Sequence, residues 1–133
     1  MRALISALFL LVPLAACDST SKPTATPVAE PAVVSQVAAT QGLTVVTDPT
    51  QVCMVTNRYM GAAQIPVEVE GKTYFGCCEM CKARLANEPA IRQAVDPVTQ
   101  QPVDKAAAVM ARQADGQILY FASAETLAKY RTP

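Results

Sequence analysis

The chain reads as an α+β protein made of two small β-hairpin-plus-helix modules packed together after a disordered tether. Three observations predict this. First, the sequence repeats itself: "TDPTQVCMV" at 47–55 matches "VDPVTQQPV" at 95–103 through Asp48/Asp96, Pro49/Pro97 and Val55/Val103. In the same order, "GKTYFGCCEMCKARL" matches "GQILYFASAETLAKY" through the aromatic pairs Tyr74-Phe75 and Tyr120-Phe121, and Glu79 falls on Glu125. Ordered matches at nearly constant offset are the mark of a duplicated unit. Second, each copy holds an alternating apolar–polar run broken by a turn pair, Glu70-Gly71 in one and Asp115-Gly116 in the other, which predicts two hairpins. Third, each hairpin leads into a helical segment, from Cys77 to about Asn87 and from Ser123 to Tyr130. Ser123 is a favourable N-cap, and Glu79 and Glu125 sit where the helix dipole favours negative charge. Pro89 and Pro97 limit further helix between the modules.

With 133 residues there is room for one ordinary domain or two very small ones. Lysine plus arginine balance aspartate plus glutamate at 11 each, without a basic block, so no nucleic-acid partner is expected. Histidine is absent, which removes the usual general base and the commonest zinc ligand together. Glu68 and Glu70 alternate along one strand and share a solvated face, so they form no acid/base pair. With no glycine-rich phosphate loop and no serine nucleophile motif either, the chain is not expected to be an enzyme.

Residues 1–16 read as an export signal, with Arg2 ahead of an apolar run too short to span a membrane. The run closes on Leu14-Ala15-Ala16-Cys17, which resembles the lipobox of bacterial lipoproteins. That resemblance implies lipidation and acylation of Cys17, and an anchor on the periplasmic face of the inner or outer membrane of a bacterial envelope. Residues 17–41, rich in Pro, Thr, Ser and Ala, then form the flexible tether. The cysteine-containing module is expected at 42–94 and its cysteine-free counterpart at 95–133.

Setting Cys17 aside leaves four thiols: Cys53, Cys77, Cys78 and Cys81. Within one helix, Cys77 and Cys81 at i, i+4 would place their Cβ atoms about 5–6 Å apart. A disulfide needs about 3.5–4.5 Å between Cβ atoms. Two thiolates on one metal, with bonds of about 2.3 Å, hold their sulfurs about 3.8 Å apart and accept the longer Cβ separation. Cys78-Glu79-Met80-Cys81 is also a CxxC, able to close as a disulfide when Cys78 lies just before the helix. A helix start at Cys78 or later therefore favours redox chemistry, and a start that includes Cys77 favours metal.

The pattern Cys53-x23-Cys77-x3-Cys81, with "DP" before it and "YF" ahead of the second cysteine, resembles the TRASH domain, a heavy-metal-associated module related to YHS domains. The resemblance covers about 48–85, and more faintly 96–130 as a YHS-like copy without cysteines. It implies a treble-clef-like hairpin and helix with Cys53, Cys77 and Cys81 as metal ligands, in trafficking, buffering or resistance. The extra thiol, Cys78, is a fourth ligand, a resolving thiol or a bystander.

Soft thiolates select copper(I), zinc, mercury(II) or an iron–sulfur cluster over magnesium or calcium, and no cluster spacing matches here. Met54 and Met80 beside the cysteines, and the crowding of adjacent Cys77 and Cys78, favour copper(I), with zinc the alternative. A membrane transporter or metallochaperone is the protein partner this implies. The competing readings are a thiol–disulfide protein using Cys78 and Cys81, and an adaptor lipoprotein stapled by structural zinc or two disulfides. In the second copy the ligand positions become Gln101, Ser123 and Leu127, so apolar packing of Tyr120, Phe121, Leu127 and Tyr130 must hold it together.

Overall fold

The computed structural model describes residues 42–132, so the signal, the Cys17 lipobox and the tether lie outside the described residues. The fold is α+β. Nine short strands run in the order β1 (Thr44–Val46), β2 (Val52–Cys53), β3 (Arg58–Tyr59), β4 (Ile65–Val69), β5 (Lys72–Gly76), β6 (Gln93–Val95), β7 (Pro102–Asp104), β8 (Val109–Arg112) and β9 (Ile118–Phe121). Helix α1 (Glu79–Asn87) follows β5, and helix α2 (Ala124–Lys129) follows β9.

Both expected hairpins form. In the first, Val69 pairs with Lys72, so Glu70 and Gly71 are the entire turn, at φ 52° and 74°. Two successive positive φ values match the twist of the flanking strands, and Gly71 adopts its value without a Cβ penalty. In the second, Arg112 pairs with Ile118 around a longer loop closed by Gly116 at φ 85°.

Three pairings went unread in the sequence: β2 with β3, β6 with β7, and β1 with β8. The last makes a three-stranded sheet in the order β1-β8-β9. That sheet divides the core by simple alternation. Met110, Ile118 and Tyr120 point to one face, where they pack with Val52, Met54, Val67, Tyr74, Leu85 and Val103. Ala111 and Phe121 point to the other, with Leu43, Leu127 and Tyr130. The aromatic residues expected to share one core are thus split: Tyr120 serves the first face, while Phe121 meets Tyr130 edge-on at 5.6 Å. Period-two geometry makes this unavoidable for neighbours on one strand.

Because the first cluster draws on residues from Val52 to Tyr120, it binds the cysteine-bearing half of the chain to the other half. Helix α1 docks through a narrow stripe, since Cys81 and Leu85 are its buried residues. Their i, i+4 spacing puts both on one face, so burial of Leu85 turns Cys81 inward. At the far end of the helix, the buried Arg92 donates to the Leu85 carbonyl at 2.7 Å and lies over the Tyr74 ring. Tyr74 in turn donates to Asp104, which also pairs with Lys72 at 2.8 Å. Both ends of α1 are therefore fixed.

Candidate metal centre

Helix α1 begins at Glu79, two residues later than expected. Cys77 is not helical and Cys78 is the N-cap, in extended conformation at φ −159° and ψ 170°. Cys77 and Cys81 therefore do not share a helical face, contrary to the expectation from their spacing. Their sulfurs meet nonetheless, 3.5 Å apart, because the extended chain leaving β5 carries Cys77 across the start of the helix. The Cys53 sulfur lies 4.0 Å from that of Cys81, and all three sulfurs fall within 4.8 Å of one another.

Close approach at Gly76 makes this possible. A Cβ there would stand 3.0 Å from the Cys81 Cβ and 3.1 Å from the backbone C of Cys81 and N of Lys82. Two of those atoms are backbone and cannot swing aside. Any larger residue would push the helix start away from β5, and Cys81 with it.

Cys53 arrives from the other side, at the end of β2 where the chain turns through residues 54–57 into β3. Asn57 closes that turn at φ 53°, a left-handed conformation that Asn accepts better than most residues. The amide of Met54 donates to the Phe75 carbonyl at 2.9 Å, tying the turn to β5 two residues before Cys77.

Electrostatics differ sharply among the thiols. Burial pushes the Cys53 thiol up, but the Thr56 hydroxyl and the N–H groups of Thr56, Cys77 and Val55 outweigh it and bring the pKa down to about 7. Hydrogen bonds to the charged form act in this direction. Cys81 goes the opposite way: burial first, then the neighbouring Cys77, Cys78 and Cys53, raise it to about 12. Cys77 is raised chiefly by its contact with Cys53. The metal-free cluster thus favours a single thiolate at Cys53, and an ion entering it must displace protons from the other two.

The donor set fits a soft ion. Metal–sulfur bonds of about 2.3 Å put sulfurs about 3.8 Å apart in a tetrahedral site and about 4.0 Å apart in a trigonal one. The observed contacts of 3.5 and 4.0 Å bracket those values. Cys53 and Cys81 are buried and Cys77 is exposed, so the triangle is open on one side.

Cys78 stands apart. It is exposed and does not belong to the mutual triangle. Its sulfur makes no capping hydrogen bond, yet the Cys81 N–H faces it closely enough to lower its thiol pKa. The methionines divide too: Met54 is fully buried in the first core cluster, while Met80 is 74% exposed. Burial among Val52, Leu85 and Tyr120 gives Met54 a packing role.

One residue of the site's surroundings had no signal in the sequence. Lys105, 4% exposed, donates from Nζ to the Met54 carbonyl and to Asn57 Oδ1, both at 2.7 Å. A lone lysine in "VDKAAAV" looks like any surface lysine. Only the fold brings it under the Cys53 turn.

In the half without cysteines, Asp96 is fully buried. Its carboxylate accepts from the amides of Val98, Thr99 and Ala122 at 2.7, 3.2 and 2.8 Å. Ala122 immediately precedes the N-cap of α2, as Cys77 precedes that of α1. A carboxylate therefore ties loop to helix start in one half, and a sulfur cluster does so in the other.

Among the described residues no helix is long and apolar enough to cross a membrane. No protein-family model matches the chain, and no curated protein or solved structure is found similar to it, so the cysteine triangle itself carries the functional argument.

Proposed function

We propose that the protein binds a soft metal ion, copper(I) in the first place, through Cys53, Cys77 and Cys81. The observation that carries this is the meeting of three sulfurs from two separate segments within 4.8 Å. A triangle of thiolates suits the low coordination numbers of copper(I), and zinc would require a fourth donor from Cys78 or solvent. An ion held there would keep three soft anionic donors together in their deprotonated form. The exposed edge at Cys77 suits exchange with another protein more than permanent enclosure. Together with the lipobox-like Cys17 and a cysteine pattern that resembles that of TRASH modules with a longer first loop, this describes an envelope lipoprotein that buffers a soft metal or passes it to a transporter or metallochaperone.

A second reading has its own support. Because α1 starts after Cys78, the CxxC of Cys78 and Cys81 has the arrangement expected for thiol–disulfide exchange. The exposed Cys78 thiolate would attack a partner disulfide and release one partner thiolate. Cys81, once deprotonated, would then displace the second and leave a Cys78–Cys81 disulfide. The rise of the Cys81 thiol to about 12 works against that second step, and the scheme gives buried Cys53 no task. The metal reading uses all three clustered sulfurs and stands first.

The test is to purify the protein without added reductant, titrate its thiols, and measure bound metals by elemental analysis. One equivalent of copper or zinc, with Cys53, Cys77 and Cys81 protected from alkylation until a chelator is added, is the expected result. Metal-free protein that fails to take up either ion, with Cys78 and Cys81 disulfide-linked, would replace it with the redox reading.

A further inference from the structure

We propose that Lys105 is a positioning residue for the cysteine centre, pinning both ends of the turn that carries Cys53 and setting a positive charge beside the thiolates. The inference rests on the metal reading and extends it to a residue in the other half of the chain.

The geometry is specific. One ammonium proton goes to the carbonyl of Met54, the residue directly after Cys53. Another goes to the side chain of Asn57, which closes the turn at φ 53°. Between these two anchors lie Val55 and Thr56, whose N–H groups donate toward the Cys53 sulfur. Lysine thus holds the amides that hold the sulfur. The ammonium also lies over the buried Tyr120 ring, with Nζ 5.4 Å from its centre.

A buried ammonium is costly unless something requires it. No carboxylate pairs with Lys105 among the described ion pairs, and its partners are a carbonyl and an amide. Its contact with the Met54 carbonyl puts the ammonium one residue along the chain from Cys53. Three thiolates around a monovalent ion carry a net charge of about −2, so a nearby cation stabilises the loaded centre more than the empty one.

The experiment compares Lys105→Met and Lys105→Arg with the unchanged protein. Copper(I) is supplied anaerobically against a chromophoric competing chelator, and the metal-free thermal midpoint is measured alongside. Outer-sphere partners of metal ligands are typically worth about 10–100-fold in affinity. Lys105→Met should weaken copper(I) binding within that range at unchanged stoichiometry. Lys105→Arg, which keeps the charge, should recover most of the loss even if it alters the midpoint. An unchanged affinity in Lys105→Met would overturn the proposal, as would a loss in Lys105→Arg equal to that in Lys105→Met. Should Lys105→Met fail to fold, Asn57→Gly removes one anchor while tolerating the positive φ. It should weaken binding severalfold, and no change would again count against the idea. If the unchanged protein takes up no copper(I), the metal reading itself has failed. Hydrogen exchange at Val55 and Thr56 then decides the remaining claim: faster exchange in the variants than in the unchanged protein retains the turn clip, and equal exchange removes it.

Discussion

Cys78 enters α1 at φ −159° and ψ 170°, and Ser123 enters α2 at φ −158° and ψ 173°. The backbone is the same, but the chemistry differs. Ser123 forms a full capping box with Thr126, each side chain serving the other's backbone N–H. Cys78 makes no capping hydrogen bond. Behind each cap, the loop is tied to the helix start by a buried side chain: Asp96 through the Ala122 amide, and Cys53 beside the Cys77 amide. In one half the carboxylate spends its lone pairs on three amides and the capping groups satisfy the helix. In the other, Cys53, Cys77 and Cys81 bring their sulfurs together at the helix start. One helix start is closed by a capping box, and the other has a cluster of thiols and no side-chain cap.

The strongest test of this contrast is to replace that buried side chain in each half. Cys53→Ser should abolish soft-metal binding, a loss beyond the about 10–100-fold expected for an outer-sphere change. Asp96→Asn should leave metal stoichiometry and affinity intact. Elemental analysis and chelator competition on both variants would check this, and a metal loss in Asp96→Asn would break the division of roles.

Next comes Gly76→Ala. The added methyl would meet the backbone of Cys81 and Lys82 at 3.1 Å, so the start of α1 must move. Overpacking of this kind costs about 1–3 kcal/mol, and here it should also separate Cys81 from Cys77. A lower thermal midpoint together with weakened metal binding is expected. A normal metal site in this variant would show that the triangle tolerates a displaced helix.

Asp96→Asn should itself destabilise the fold by about 1–3 kcal/mol, because one buried amide then faces an NH2 group instead of an oxygen. The pH dependence follows from the same hydrogen bonds. Although burial opposes ionisation, the amides of Ala122 and Val98, together with Thr126 and Thr99, hold the Asp96 pKa below its usual 3.8. The folded state therefore binds this proton less readily than the unfolded state. The stability Asp96 provides is complete above the unfolded value and disappears as pH falls through the folded one. Denaturation followed from pH 6 down toward 2 should show that loss in the unchanged protein and a flatter profile in Asp96→Asn.

The smallest effects belong to the caps. Ser123→Ala should cost about 1 kcal/mol, read as a fall in the thermal midpoint. Cys78→Ser supplies the hydroxyl that the first helix lacks, and should raise the metal-free midpoint slightly while leaving one metal per chain. Loss of metal in Cys78→Ser would instead make Cys78 a ligand and erase the contrast with Ser123.

The two long hairpins and the Ser123 cap were legible in the sequence, because their turn residues and alternation are local properties. Strands β1, β6 and β7 were not, since three residues carry too little pattern to declare a pairing. The start of α1 was misplaced by two residues for a related reason: "GCCEMC" contains no strong N-cap residue, so nothing marked where extended chain gave way to helix. Cys53, Cys77 and Cys81 were nevertheless singled out together. Cys77 and Cys81 share no helical face, and close packing at Gly76 is what brings their sulfurs together.

By itself the sequence determined the local chemistry of this protein: soft sulfur donors without histidine, two turns that require hairpins, and helices that follow them. Those features depend on residues within a few positions of one another. The tertiary structure alone decided that Cys53 reaches the other two sulfurs, that Cys78 stays outside them, and that Lys105 lies beneath the turn. Each depends on how separate segments bury their apolar faces against a common core. Burial is a non-directional, many-body effect, and no short stretch of sequence encodes its outcome.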